Sequence, residues 1–584
     1  MNAHSIFRKG WPLLALLALC LLMLPLLAFT GAWKQDDDPL RTGSPIETVP
    51  LSDVQADSLY RLCKVWGLAK YHHPSVVSGE LNWDAELISV MPDVLCAQNA
   101  DEANAVLLRW LEQFPISVQS DEMAAQWHTL QDERGLIAAD TAWTTDVSLW
   151  GSALSERLTH MAQVSIADRS RACASMDGQV GRVTFENERS YPAPPRDMGM
   201  YLLGLFRFWN AYAYYSPNLS ITVKDWDDVL RESIPRVAAA TDHRSYVLAI
   251  AQTVAMTADA HAAVYDSTQL LRYFYGKRNL PCSIRMIDGQ AVVHQVGGPD
   301  SPLRPGDVLQ SIDGDTIAAR IEALRPYTVL PEPDKLLVKM GDALLAAQGE
   351  QAEVVVLRGE QTLTLHVSTL AGRFNERRQP NGLMADGRVG YIDPSALAEG
   401  EVEKLMAQFS GTQGIIVDLR YYPSVSLPYL LGEYIVPSVT VFAVVGMPNH
   451  AIPGAYWRQE MPVGKGVMEA LGDTRTFEPY TGKVVLLMDE NSISQSEFTI
   501  MALRQAPNAV VVGSPSLGAD GDIGILNLPG RLQIPISGLG VYTPDGGQTQ
   551  RVGLTPDVLC LPTVEGLREG RDELIEQAIE IILS

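Results

Sequence analysis

Lys483-Val484-Val485-Leu486-Leu487-Met488-Asp489 runs directly into Glu490-Asn491-Ser492-Ile493-Ser494-Gln495-Ser496-Glu497 and a helical pattern through Arg504. An unbroken apolar run ending in charge reads as a strand of a parallel sheet, buried on both faces. Gly414-Ile415-Ile416-Val417-Asp418-Leu419-Arg420 and Ala509-Val510-Val511-Val512-Gly513 carry the same signature, with a strand at Arg388–Ile392 and a helix at Glu401–Phe409. Residues 373–584 therefore read as an α/β core. A serine between a strand's carboxyl end and a helix's amino end lies where backbone N–H groups stabilise an oxyanion. Taken alone, Ser494 is better explained as a helix cap, so its meaning depends on context.

The chain has 584 residues, 46% hydrophobic and 20% charged. That is globular composition, and at about 150 residues per domain it allows roughly four domains. The net charge of −24 gives no general attraction to phosphate backbones, which argues against nucleic acid as a partner. Six cysteines without a C-x-x-C do not make a disulfide scaffold. At the amino end, Arg8 and Lys9 precede an apolar stretch from Trp11 to Phe29, followed by Thr30-Gly31-Ala32. This is the pattern of a secretory signal cut near Ala32, with an uncleaved membrane anchor as the alternative, so 1–32 is signal or anchor and 33–50 a polar linker. Either way the body of the protein is expected outside the cytoplasm: in the periplasm, in the cell envelope or extracellular.

Trp66, Tyr71, Pro74, Trp83, Asp84, Leu87, Pro92 and Val94 recur as Trp209, Tyr214, Pro217, Trp226, Asp227, Leu230, Pro235 and Val237, each pair 143 residues apart. Each copy reads as a helix with an aromatic stripe, an x-Pro break, and Trp-Asp opening a second helix. The expectation is a duplicated helical region, 51–195 and 196–275, whose aromatics pack a core and form a scaffold or lid. His72-His73 has no third ligand at a metal spacing and belongs to that scaffold; no metal and no cofactor is expected.

Between 276 and 372 the pattern changes to short strands. Ser283–Ile287 and Ala291–His294 flank Asp288-Gly289, a hairpin signal. Leu303-Arg304-Pro305-Gly306-Asp307-Val308-Leu309-Gln310-Ser311-Ile312-Asp313-Gly314 places a strand between two turns, with later strands at Ala352–Leu357 and Gln361–Val367. This stretch resembles a PDZ domain, a resemblance that implies edge-strand binding of an extended peptide, often a free C-terminus.

The order of motifs in the core adds a second resemblance. Gly-Ile-Ile-Val-Asp-Leu-Arg, the Ser494 turn, Val-Val-Val-Gly-Ser-Pro-Ser-Leu-Gly, Gly553-Leu554-Thr555-Pro556-Asp557 and the tail Gly570-Arg571-Asp572-Glu573 occur in series. The series resembles the tail-specific, or C-terminal-processing, serine peptidases, among them the tricorn-like enzymes. It implies a multidomain protein: an N-terminal α-helical duplicated region, a β-rich PDZ domain and a crotonase-like α/β serine peptidase core. By position in that family's motif, Ser494 would be the nucleophile and Glu497 the motif's acid. The branch that uses a downstream lysine is excluded, because its position is Ala519 and no lysine follows Lys483. No histidine follows His450 and Gly-x-Ser-x-Gly is absent, which excludes the α/β-hydrolase order. The tricorn-like branch draws its histidine from an Asp-Gly-His segment before the PDZ domain. Asp259-Ala260-His261 lies at that place, so His261 is the implied general base.

Two departures stand out. The family orients its histidine through a further serine and a glutamate; the glutamate position is Gln550, which can hold a hydroxyl or an imidazole but offers no charge, leaving Glu497 as a substitute. The glycine-rich turn after Asp-Leu-Arg is here Tyr421-Tyr422-Pro423-Ser424, so the oxyanion hole would use N–H groups of Gln495 and of Tyr421 or Tyr422. Bulky residues there could shape specificity or block the hole. The expected activity is that of an exported serine endopeptidase acting on unstructured polypeptides or C-terminal tails. The alternatives are a catalytically silent peptide-binding protein on the same fold, and acyl transfer on an ester or carbohydrate.

Overall fold

A computed structural model describes residues 38–116, 122–177, 181–298, 300–329, 335–398 and 400–584. The signal or anchor expected at 1–32 lies outside the described residues. Among those described, no helix is long and apolar enough to cross a membrane.

The core is a six-stranded sheet in the spatial order Gly382–Met384, Val389–Ile392, Gly414–Asp418, Lys483–Met488, Ala509–Gly513 and Val558–Leu559. The first pair is antiparallel and the rest are parallel. Alternate residues face opposite ways, and both faces are covered. Ile415, Val417, Val484, Leu486 and Val511 pack under the helices Leu427–Ile435 and Gln495–Leu503. Ile416, Val485, Leu487 and Val512 meet Leu574, Ala578 and Ile582 of the C-terminal helix Glu573–Leu583. Burial on both faces is why these strands read as continuous apolar runs. The turn carrying Ser494 thus projects from the carboxyl edge of a central strand, where ligand crevices of such sheets open.

The duplicated helices share one core, containing Trp66, Trp83, Trp209 and Trp226. Within each copy the two tryptophans bond reciprocally. Trp66 Nε1 donates to Trp83 O and Trp83 Nε1 to Trp66 O, both at 3.0 Å. Trp209 and Trp226 repeat the exchange at 2.7 and 3.1 Å. Between copies the charges swap. Arg207 pairs with Asp84 at 2.6 Å, and Lys64, its equivalent in the first copy, pairs with Asp227 at 2.8 Å. Partner exchange of this kind is what a two-fold relation between equivalent units produces.

Two elements cross the boundaries drawn from the sequence. Gly135–Ile137, from the first helical unit, pairs with Tyr456–Val463 of a second sheet in the core. The hairpin Ile523–Leu528/Leu532–Ser537 pairs in register, and Leu526, Leu528, Leu532, Ile534 and Ile536 sit in the helical core. The middle module forms the sheet order Gln361–Ser368, Gln351–Arg358, Val308–Ile312, Gln290–Val296, Cys282–Ile287. Its turns have φ 50° and 74° at Asp288-Gly289 and 51° and 85° at Asp313-Gly314, the left-handed pairs that two-residue hairpins use. The helices Ile317–Leu324 and Leu336–Leu344 pack on this sheet.

Candidate active site

Three serines crowd the turn after Lys483–Met488, and their hydroxyls differ in what they do. Ser492 is fully buried and donates to Leu419 O at 2.8 Å, while buried Ser496 donates to Tyr421 O at 3.4 Å. Ser494 is half-buried, and its backbone meets the fold through N–H donation to Glu497 Oε2 at 3.1 Å and C=O acceptance from Phe498 N at 2.9 Å. Its φ of 52° with ψ −114° lies in a region that a residue with a Cβ rarely occupies. Strain of about 1–3 kcal/mol persists only where surrounding contacts impose it.

Glu497 imposes it. Fully buried, its carboxylate accepts from Ser494 N, from Ser516 Oγ at 2.5 Å, from Gly518 N at 2.9 Å and from Ala519 N at 2.7 Å. It therefore pins the 516–519 loop to the Ser494 turn, and burial raises its pKa. None of these donors is an imidazole, so the substitution of Glu497 for the absent orienting glutamate is not what the geometry shows.

That place is taken by Asp259. The ring Nδ1 of His261 lies 3.0 Å from Ser537 Oγ, and Ser537 Oγ donates to Asp259 Oδ1 at 2.8 Å. With the one hydroxyl proton committed to Asp259, Ser537 accepts from His261, so Nδ1 carries the ring proton and Nε2 keeps its lone pair. Asp259, fully buried, also accepts from Ser537 N at 2.8 Å, His261 N at 3.0 Å and Gln550 Nε2 at 2.6 Å. Gln550 thus meets the carboxylate and, at 3.5 Å, the Ser537 hydroxyl, but not the imidazole. Burial lowers the His261 pKa to about 4, with Asp259 and Asp522 pulling it up and Lys339 pushing it down. The ring is neutral at neutral pH, as a proton acceptor must be.

His261 and Ser494 share one wall. Ala260, Leu517 and Ala519 form a small buried cluster against which Ile493 packs, so the residues preceding the histidine and the serine meet the same side chains. No hydrogen bond joins the His261 ring to the Ser494 hydroxyl among the described residues; the ring bonds to Ser537. The Tyr421–Ser424 loop closes the other side. Tyr421 lies under Arg378 at 4.2 Å, and Ser424 N donates to Pro394 O at 3.0 Å. Tyr422 keeps 46% of its surface exposed. Its phenol is raised in pKa by burial first, with Asp522 and Asp520 also raising it and Ser494 and the Gln495 backbone opposing them. Ser537 and Asp259 were not singled out in the sequence. The one local signal for the aspartate was its place two residues before His261.

Residues 388–560 match peptidase family S41. No curated protein matches the chain by sequence. Among solved structures, mature CPAF complexed with lactacystin aligns at TM-score 0.49 and 14% identity, covering 66% of this chain and 99% of that one. The photosystem II D1 C-terminal processing protease aligns at 0.38 and 17%, covering 63% and 96%. The tricorn protease aligns at 0.33 and 14%, covering 69% and 38%. The matched segment includes the Ser494 turn, Ser537 and Gln550, while His261 and Asp259 precede it. By that match residues 388–560 are a segment similar to peptidase family S41, and the enzyme is a serine-type peptidase.

Proposed function

We propose that this peptidase is an exported endopeptidase in which Ser494 attacks the peptide carbonyl and His261 accepts the hydroxyl proton. The observation that carries the reading is the hydrogen-bonded chain from His261 through Ser537 to Asp259. It fixes the tautomer with Nε2 free, and the carboxylate at its end opposes the positive charge the ring gains. As the Ser494 Oγ–C bond forms, the proton moves to Nε2, then to the departing amine as the C–N bond breaks. Water reverses the sequence on the acyl-enzyme. Gln495 N–H and an N–H of Tyr421 or Tyr422 would receive the oxyanion.

In this reading the substrates are unstructured polypeptides or C-terminal tails, recruited as an added strand by the PDZ-like module at 276–372. The helical units would restrict entry to the crevice, and the 1–32 segment would direct export. Hydrolysis of an unfolded protein by the wild type, Ser494→Ala and His261→Ala tests the assignment. Each variant is expected to lose at least about 10³-fold in kcat/KM. Hydrolysis by Ser494→Ala at the wild-type rate overturns it.

A further inference from the structure

The helix Leu336–Leu344 belongs to the middle module by sequence, yet one of its faces meets the peptidase site. Lys335, at its start, donates from Nζ to Leu517 O and Arg551 O, both at 2.9 Å. Lys339, one turn on, donates to the carbonyl of Ala260, the residue before His261. Val338 packs on the Ala260–Leu517–Ala519 cluster that also holds Ile493. Within five residues this segment touches the histidine loop, the 516–519 loop pinned by Glu497, and the turn carrying Gln550 and Arg551. None of these three side chains lies in the matched family segment.

We propose that Lys339 is a positioning residue of the peptidase site, holding the His261 loop against the Ser494 turn through the Ala260 carbonyl. The inference rests on His261 being the base. The charged groups around the ring are Asp259, Asp522 and Lys339, and those around the Lys339 ammonium are Asp259 and Glu497. An ammonium beside the imidazole disfavours its protonated form, so Lys339 has an electrostatic effect as well as a steric one. Burial lowers the Lys339 pKa to about 8 despite the two carboxylates, which brings its own deprotonation within reach of ordinary assays.

The test is the pH profile of kcat/KM for unfolded-protein hydrolysis by the full chain, in the wild type, Lys339→Met and Lys339→Arg. Melting temperatures are recorded in parallel. Lys339→Met is expected to lose about 10- to 100-fold in kcat/KM and to shift the acidic limb up by about one pH unit. Lys339→Arg should leave the acidic limb in place and move the basic limb near pH 8 upward. An acidic limb unmoved in Lys339→Met, or moved equally in both variants, overturns the inference. Should Lys339→Met not fold, an unchanged basic limb in Lys339→Arg overturns it instead. Loss of activity in Ser494→Ala and His261→Ala on the same substrate shows whether a failure belongs to Lys339 or to the underlying assignment.

Discussion

At Gln550 the choice between amide and carboxylate is decided by one neighbour. Its Nε2 donates to Asp259 Oδ1 at 2.6 Å. A glutamate here would set two carboxylates at that separation, where both cannot ionise. The charge that orients the imidazole is supplied from position 259, and 550 must then donate rather than repel. In Gln550→Glu the folded state would hold a proton that the unfolded chain releases above about pH 4.5. A folded pKa raised in this way costs stability as pH rises. The melting temperature of the variant is expected to fall further below wild type at pH 8 than at pH 5. An equal deficit at both would show that the two side chains do not share a proton.

At the scale of elements, the two repeat copies carry equivalent ion pairs in unequal surroundings. Arg207 is fully buried with Asp84 and Glu188, and Lys70 completes the group. Asp227, the partner of Lys64, is 37% exposed. Removing one member of a buried pair strands a charge and costs about 3–5 kcal/mol, whereas exposed pairs contribute about 0–1 kcal/mol. Chemical denaturation of Arg207→Met should show a loss in the first range and Lys64→Met a much smaller one. Equal losses would mean that position in the duplication, rather than burial, sets the energy.

For the whole molecule, two histidines give stability a slope in mild acid. Burial lowers His72 to about 3 and His261 to about 4 from 6.5. Between pH 6.5 and 4 the unfolded chain takes up protons at these residues that the folded chain refuses. Stability is therefore full above the unfolded value and falls with pH, by up to about 1.4 kcal/mol per unit for each histidine. His72→Gln should flatten the slope of unfolding free energy against pH across that window. A slope identical to wild type would count against the buried, neutral state of His72.

Local pattern was enough to delimit the sheet strands, the two left-handed turns and the paired tryptophans, because each rests on neighbours in the chain. It also singled out Ser494 and His261, through their places in ordered motifs. It gave no position for the further serine, here Ser537, and it left the orienting charge to Glu497, whereas the ring connects through Ser537 to Asp259. The ring of His261 meets Ser537 across 276 residues, and Asp259 meets Gln550 across 291. Partners that far apart leave no periodicity to read; only the folding of the 523–537 hairpin back onto the helical unit brings them together. The same holds for Lys339, whose carbonyl partner Ala260 lies 79 residues away and is set by how the module docks. Sequence determined which segments form strands, turns and helices, since hydrophobic period and turn chemistry are local. Tertiary structure decided which carboxylate serves the histidine, since a hydrogen bond depends on distance in space.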